Sequence, residues 1–207
     1  MLSLNYYYTV LFKPRKIIKT NISSKTMLIL ASIAGIVDTV SRGARNNGGV
    51  YLKGEPIYFY LFMLGVVILI GIVWGIIKFY ISAAMFHLFG NYLGGNTDYK
   101  DIKKAVSLSY YPYIIPIILL IPRLLIFQHE TLMANPPSIQ ISSIMLILYW
   151  LFKLINIICG IWGLVILIKG ISEVQDFSII RSFFNVALPI VSIIGIIIGI
   201  VIPLMFG

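Results

Sequence analysis

Between Ile57 and Phe89 the chain carries a single formal charge, Lys78. As a helix this stretch would reach ~50 Å at 1.5 Å per residue, more than the ~30 Å hydrocarbon core of a bilayer, so it must tilt or protrude. The composition agrees with a membrane origin for the run. Only 11% of residues are charged, against about 25% in soluble domains, and the mean hydropathy is +0.98. The sequence therefore predicts an integral membrane protein of the all-α class: a polytopic helical bundle with five transmembrane helices and an interfacial N-terminal segment. The net charge of +9 does not indicate a nucleic-acid partner, because the basic residues sit in short segments between apolar runs. The single cysteine, Cys159, lies inside an apolar run, which excludes a disulfide framework or a cysteine-based metal site within one chain.

The organisation predicted is an N-terminal segment over 1–25 and a membrane domain over 26–207, with spans at about 27–41, 58–86, 105–127, 143–168 and 183–205. The first segment is aromatic and basic, with Tyr6, Tyr7, Tyr8, Lys13, Arg15, Lys16, Lys19 and Lys25. It reads as an interfacial stretch on an anionic leaflet or as a solvated tail. The first span is short, and its Ala31, Ala34 and Gly35 offer a face for close helix packing. Asp38 and Arg42, four residues apart, share a helix face and can pair there, either as a helix-end ion pair or as part of a site. Gly71 and Gly75, and again Gly195 and Gly199, stand in GxxxG spacing, a surface on which helices or protomers approach closely.

The segment from His87 to Pro122 organises the rest. The second span ends near Phe89, Gly94 and Gly95 make the turn, and Thr97 or Asp98 caps a short basic helix carrying Lys100, Lys103 and Lys104. This helix is expected to lie on the membrane surface. The chain then re-enters through Ser109-Tyr110-Tyr111-Pro112. Prolines 112, 116 and 122 each remove a backbone donor, so the third span is kinked or broken and is the best candidate for a polar pocket. In the fourth span Lys153 lies near mid-membrane, where a charge is costly unless it snorkels, pairs or serves a solute. The loop after it carries Glu173, on the same side of the membrane as Lys100.

No catalytic arrangement is recognisable: there is no HExxH, GxSxG, P-loop or GxGxxG, and His87 and His129 fall toward opposite membrane faces. Neither an enzyme activity nor a cofactor or metal is expected. Lys and Arg are more numerous on the side of the N-terminal segment, Lys100 and Lys169 than on the side of Arg42, Arg45 and Lys53. The N-terminus is therefore expected in the cytoplasm and the C-terminus outside.

Several features occur together in order: Phe12-Lys13-Pro14-Arg15, Ala34-Gly35-Ile36-Val37-Asp38 with Arg42, Leu93-Gly94-Gly95, Lys103-Lys104-Ala105, and Ser109-Tyr110-Tyr111-Pro112. Gly160-Ile161-Trp162 and the run Gly170 to Ser178 follow. In these features the chain, from about Val10 to Ile202, resembles the Yip-domain family of five-span membrane proteins, and specifically its short prokaryotic branch. The resemblance implies an integral protein of a prokaryotic cytoplasmic membrane and does not carry a settled biochemical function with it. Eukaryotic relatives are trafficking proteins that bind Rab-type GTPases and carry an acidic-aromatic motif of the Asp-Leu-Tyr-Gly-Pro kind. The N-terminal segment here is basic and lacks that motif, so the GTPase partnership is not carried over.

Two functions fit these residues. One is a membrane-organising scaffold whose partners are anionic lipids, a membrane or cytoplasmic protein, or a second copy of the chain. The alternative is a transporter, channel or lipid-translocating protein that uses the cationic intramembrane residues around Lys153.

Overall fold

The computed structural model describes residues 22–189 together with 191 and 192; these form helices and no strand. Residues 1–21 of the N-terminal segment, and Gly195 and Gly199 of the fifth span, lie outside the described residues. Helix α1 (Ser24–Arg45) starts at Ser23, whose hydroxyl accepts the Thr26 amide at 3.2 Å. Helix α2 (Ile57–Tyr92) spans 36 residues, roughly 54 Å, and overreaches the bilayer as its composition requires. The third span is divided into α3 (Tyr99–Ser109), a 3-10 turn over Tyr111–Tyr113, and α4 (Ile114–Phe127). After a short helix α5 (Ser138–Ile141), helix α6 (Ser143–Val174) forms the fourth span, and α7 (Ile179–Pro189) opens the fifth. Among the described residues, four segments are long and apolar enough to cross a membrane: Ser24–Arg45, Ile57–Tyr92, Tyr99–Leu132 and Ser143–Val174. The protein is thus an integral, multi-pass helical membrane protein.

The start of α1, the ends of α2 and α6 and the starts of α3 and α7 share one end of the bundle, called here the near end. The α1–α2 and α4–α6 connections form the far end. The third span is the centre: α3 packs on both α2 and α6, and its Ile102, Ala105 and Leu108 are fully buried. This changes the reading of residues 98–104. The basic segment is not a separate surface helix but the first turns of a helix that enters the core.

Helices α1 and α2 meet along their glycines. A Cβ on Gly35 would collide with the Gly71 carbonyl oxygen, one on Gly75 with the Ala31 carbonyl oxygen, and one on Gly71 would come within 2.7 Å of Ile36 Cα. The close approach expected of the Gly71/Gly75 face is therefore used inside the chain, against the small face of α1, and is not open to a second copy. Gly163 works similarly on α6, where a Cβ would lie 2.7 Å from the Ser109 carbonyl oxygen at the third-span break.

The break has a local cause. Pro112 cannot continue the hydrogen-bonding of α3, so the Tyr110 and Tyr113 amides bond in 3-10 fashion to Ser107 and Tyr110 carbonyls, at 3.1 and 3.0 Å. Pro116 is the third residue of α4, where its missing donor costs nothing. Pro122 is the one proline past the first turn of a helix in the third span.

Candidate functional site, a cationic cavity beside the broken span

The break turns the Ser-Tyr-Tyr-Pro segment so that its tyrosines diverge. Tyr111 and Pro112 are fully buried in the core. Tyr110 and Tyr113 instead face a cavity of about 360 Å³ between α1, the third span, α2 and α6. Its ionisable lining consists of Asp38, Arg45, Lys78, Arg123 and Lys153 together with tyrosines, so four cations oppose one carboxylate. A smaller void of about 20 Å³, room for about one water, adjoins it and shares Ser41, Arg123 and Asn156.

Asp38 is the electrostatic hub. Its Oδ2 accepts from Arg42 Nε and Nη2 and from Trp74 Nε1, each at 3.2 Å, and from Lys78 Nζ at 3.5 Å. The Arg42 guanidinium also lies 5.3 Å from the Trp74 ring centroid. The i,i+4 pair read from the sequence is therefore real, and it is extended across the glycine seam to α2. Lys78 joins this network and lines the cavity. Arg123 is held by a reciprocal clasp: its Nη2 donates to the Thr131 carbonyl at 3.0 Å, while the Thr131 hydroxyl donates to the Arg123 carbonyl at 3.2 Å. Lys153 is exposed at the rim, its ammonium 4.8 Å from the Trp150 centroid and 5.5 Å from that of Tyr149. Among the described residues, none of Arg45, Arg123 and Lys153 forms an ion pair with a carboxylate.

The structure thus gathers Asp38, Arg42, Tyr110 and Lys153 at one place, with Pro112 buried behind them. The other candidates lie at the near end. Gly94, at φ 86°, and Gly95 close α2 in a Schellman turn, their amides bonding to the Asn91 and Gly90 carbonyls at 3.0 and 2.9 Å. Helix α6 ends the same way, with Asp176 at φ 51° and the Phe177 amide bonding to Ser172 at 3.0 Å. Asp98 is the N-cap of α3, but its side chain makes no capping bond. The Thr97 hydroxyl instead donates to the Val174 carbonyl and ties the two turns together. Lys103 lies over Tyr99 and Tyr80, at 4.9 and 5.9 Å from their centroids, and Lys104 pairs with Asp101 at 2.8 Å. Of the three lysines only Lys100 is exposed, and Glu173 is half-buried near the end of α6.

Sequence reasoning missed the near-end amides. Asn185 Nδ2 donates to Gln175 Oε1 at 2.7 Å, both side chains being buried, while Gln175 Nε2 and Asn185 Oδ1 have no partner among the described residues. The available signal was an asparagine inside the apolar fifth span. His87 bonds through Nε2 to the Thr97 carbonyl at 3.1 Å. Among the described residues no group of three or more His, Cys, Asp or Glu is arranged to hold a metal ion.

Fold and cavity together define a multi-pass α-helical membrane protein with a polar cavity inside its bundle. The family model described as the Yip1 domain matches residues 9–202, nearly the whole chain, and the protein belongs to that family. No curated protein and no solved structure matches the chain.

Proposed function

We propose that the chain is a non-enzymatic, membrane-organising protein that engages anionic lipid, with its near end in the cytoplasm. The observation that carries this reading is the uneven distribution of basic residues. Lys25, Lys100 and Arg181 are exposed at the near end, with Lys103, Lys104 and Lys169 half-buried beside them. At the far end Arg42 is engaged with Asp38, while Arg45 and Arg123 line the cavity. Lys53 is then the one Lys or Arg in the described far-end loops. The larger number of Lys and Arg at the near end is in the sense of the positive-inside rule.

Lys100 is the exposed contact to a lipid phosphate. Its replacement by Gln is expected to weaken sedimentation with anionic vesicles about fivefold, the ~1 kcal/mol of one well-placed cation. Adding Lys103→Gln and Lys104→Gln is expected to change little more, since those ammonium groups are already occupied by rings and Asp101. Undiminished sedimentation of the triple variant would remove the lipid part of this reading. For the orientation, in a Cys159→Ala background Lys53→Cys should react with an impermeant thiol reagent from outside and Lys100→Cys should not.

A second reading, translocation of an anionic solute or lipid, is favoured by the cavity lying beside the broken third span. Its test is flux and lipid scrambling in liposomes with Lys153→Leu alongside, and wild-type flux in the variant rejects it.

A further inference from the structure

We infer that the cavity is a binding site for a phosphate-class oxyanion, with Asp38 as a resident counter-ion that the ligand displaces from Lys78. The inference deepens the lipid-engaging reading above by naming a ligand chemistry and a site for it.

The charge arrangement is the first support. Charges at membrane depth are retained where they pair or serve a bound group. Here Lys78, Arg123 and Lys153, with Arg45 at the far end of α1, line one cavity, and Asp38 is the one carboxylate among the lining residues. Asp38 leaves the excess standing, because its closest contacts are to Arg42 and Trp74 at 3.2 Å, outside the cavity lining. Lys78 is its most distant partner at 3.5 Å, with a side chain 47% exposed, so it is the contact most readily exchanged for another oxyanion. Lys153 is held at the rim by the faces of Tyr149 and Trp150, contacts that position an ammonium without neutralising it.

The second support is the shape and the mixture of walls. The volume, about 360 Å³, lies in the ~300–1,000 Å³ range of small-molecule sites and exceeds what a bare phosphate fills. Ala34, Val37 and Ile157 give the cavity an apolar side, and Ile157 is itself 52% exposed on α6, next to the exposed Ile158 and Ile161. An amphiphile could therefore place its phosphate among Lys78, Arg45 and Lys153 while its chain follows the α6 surface. The same cations would accept free phosphate.

The test uses the full chain in a neutral detergent. Binding of short-chain phosphatidic acid, phosphatidylglycerol and phosphatidylcholine, and of inorganic phosphate, is measured by native mass spectrometry and by competition. The wild type is expected to bind both anionic lipids at least about tenfold more tightly than phosphatidylcholine. Lys153→Gln and Lys78→Gln should each lose about five- to tenfold of that binding. Asp38→Asn should tighten it at least about threefold, because it removes the competing carboxylate and frees Lys78. A gain of binding cannot come from a misfolded variant. Equal binding of anionic and zwitterionic lipids, unchanged binding in both lysine variants, or no tightening in Asp38→Asn each overturns the inference. If inorganic phosphate competes at the same concentration as the lipids, the ligand is a free oxyanion; if it competes only at far higher concentration, the ligand is the lipid. Both results support the site. Loss of vesicle sedimentation in Lys100→Gln with cavity binding intact separates this inference from the surface reading, and binding without flux leaves it standing while removing translocation.

Discussion

The two ends of the bundle handle buried polarity in opposite ways. At the near end four neutral side chains, Ser172, Gln175, Ser182 and Asn185, are each no more than 5% exposed, and each is hydrogen-bonded. Ser172, Gln175 and Asn185 tie the turn that ends α6 to α7, and the Thr97 hydroxyl links that turn to the one closing α2. Toward the far end the polar groups are ionised, partly exposed and unequal in number, with Asp38 facing Arg42 and Lys78 while three other cations lack a described carboxylate. Neutral hydrogen bonds between buried groups fix geometry, and removing one partner strands the other. Partly exposed charges contribute little to stability individually. The near end is built to hold the chain together, and the cavity half leaves unmatched positive charge facing an open volume.

Substitutions should separate these roles, and the largest effect should come from neither. Gly75→Leu drives a side chain into the Ala31 carbonyl at the seam on which both halves depend. It is expected to destabilise by at least about 3 kcal/mol, read as loss of a cooperative melt and of a monodisperse peak in detergent. Asn185→Ala removes the donor to Gln175 and is expected to cost about 1–3 kcal/mol, seen in thermal melting with unchanged binding in the cavity. Thr97→Val breaks the tie to Val174, with about 1 kcal/mol expected and faster hydrogen exchange of the α6–α7 turn amides as its signature. Lys153→Gln sits at the other extreme, within about 0.5 kcal/mol of wild type in melting while altering ligand binding. If Lys153→Gln destabilised as much as Asn185→Ala, the division between a structural end and a binding half would fail.

Much of the architecture could be read from the sequence, for reasons that particular residues make clear. The span positions follow from apolar run lengths, and the break at Pro112 follows from covalent geometry. Gly71 and Gly75 were visible as a packing surface, as were Ala31 and Gly35, but the sequence does not say that these faces meet each other. Asp38–Arg42 is a local pair and was legible; Trp74 and Lys78 reach the same carboxylate only because α2 lies against α1. The surface assignment of Lys103 and Lys104 failed because their helix continues into the core through Ile102 and Ala105. Gln175, Asn185 and Thr97 escaped notice because neutral hydrogen-bonding residues carry no spacing rule, and their partners are supplied by other helices.

The glycine seam also acts as a ruler. Because α1 and α2 touch backbone to backbone at Gly35, Gly71 and Gly75, neither can slide past the other without steric collision. One turn of slippage is about 5.4 Å, more than the whole distance from Lys78 to Asp38. The glycines, which carry no charge and touch no ligand, therefore set how far apart the opposite charges stand and how much positive potential the cavity presents.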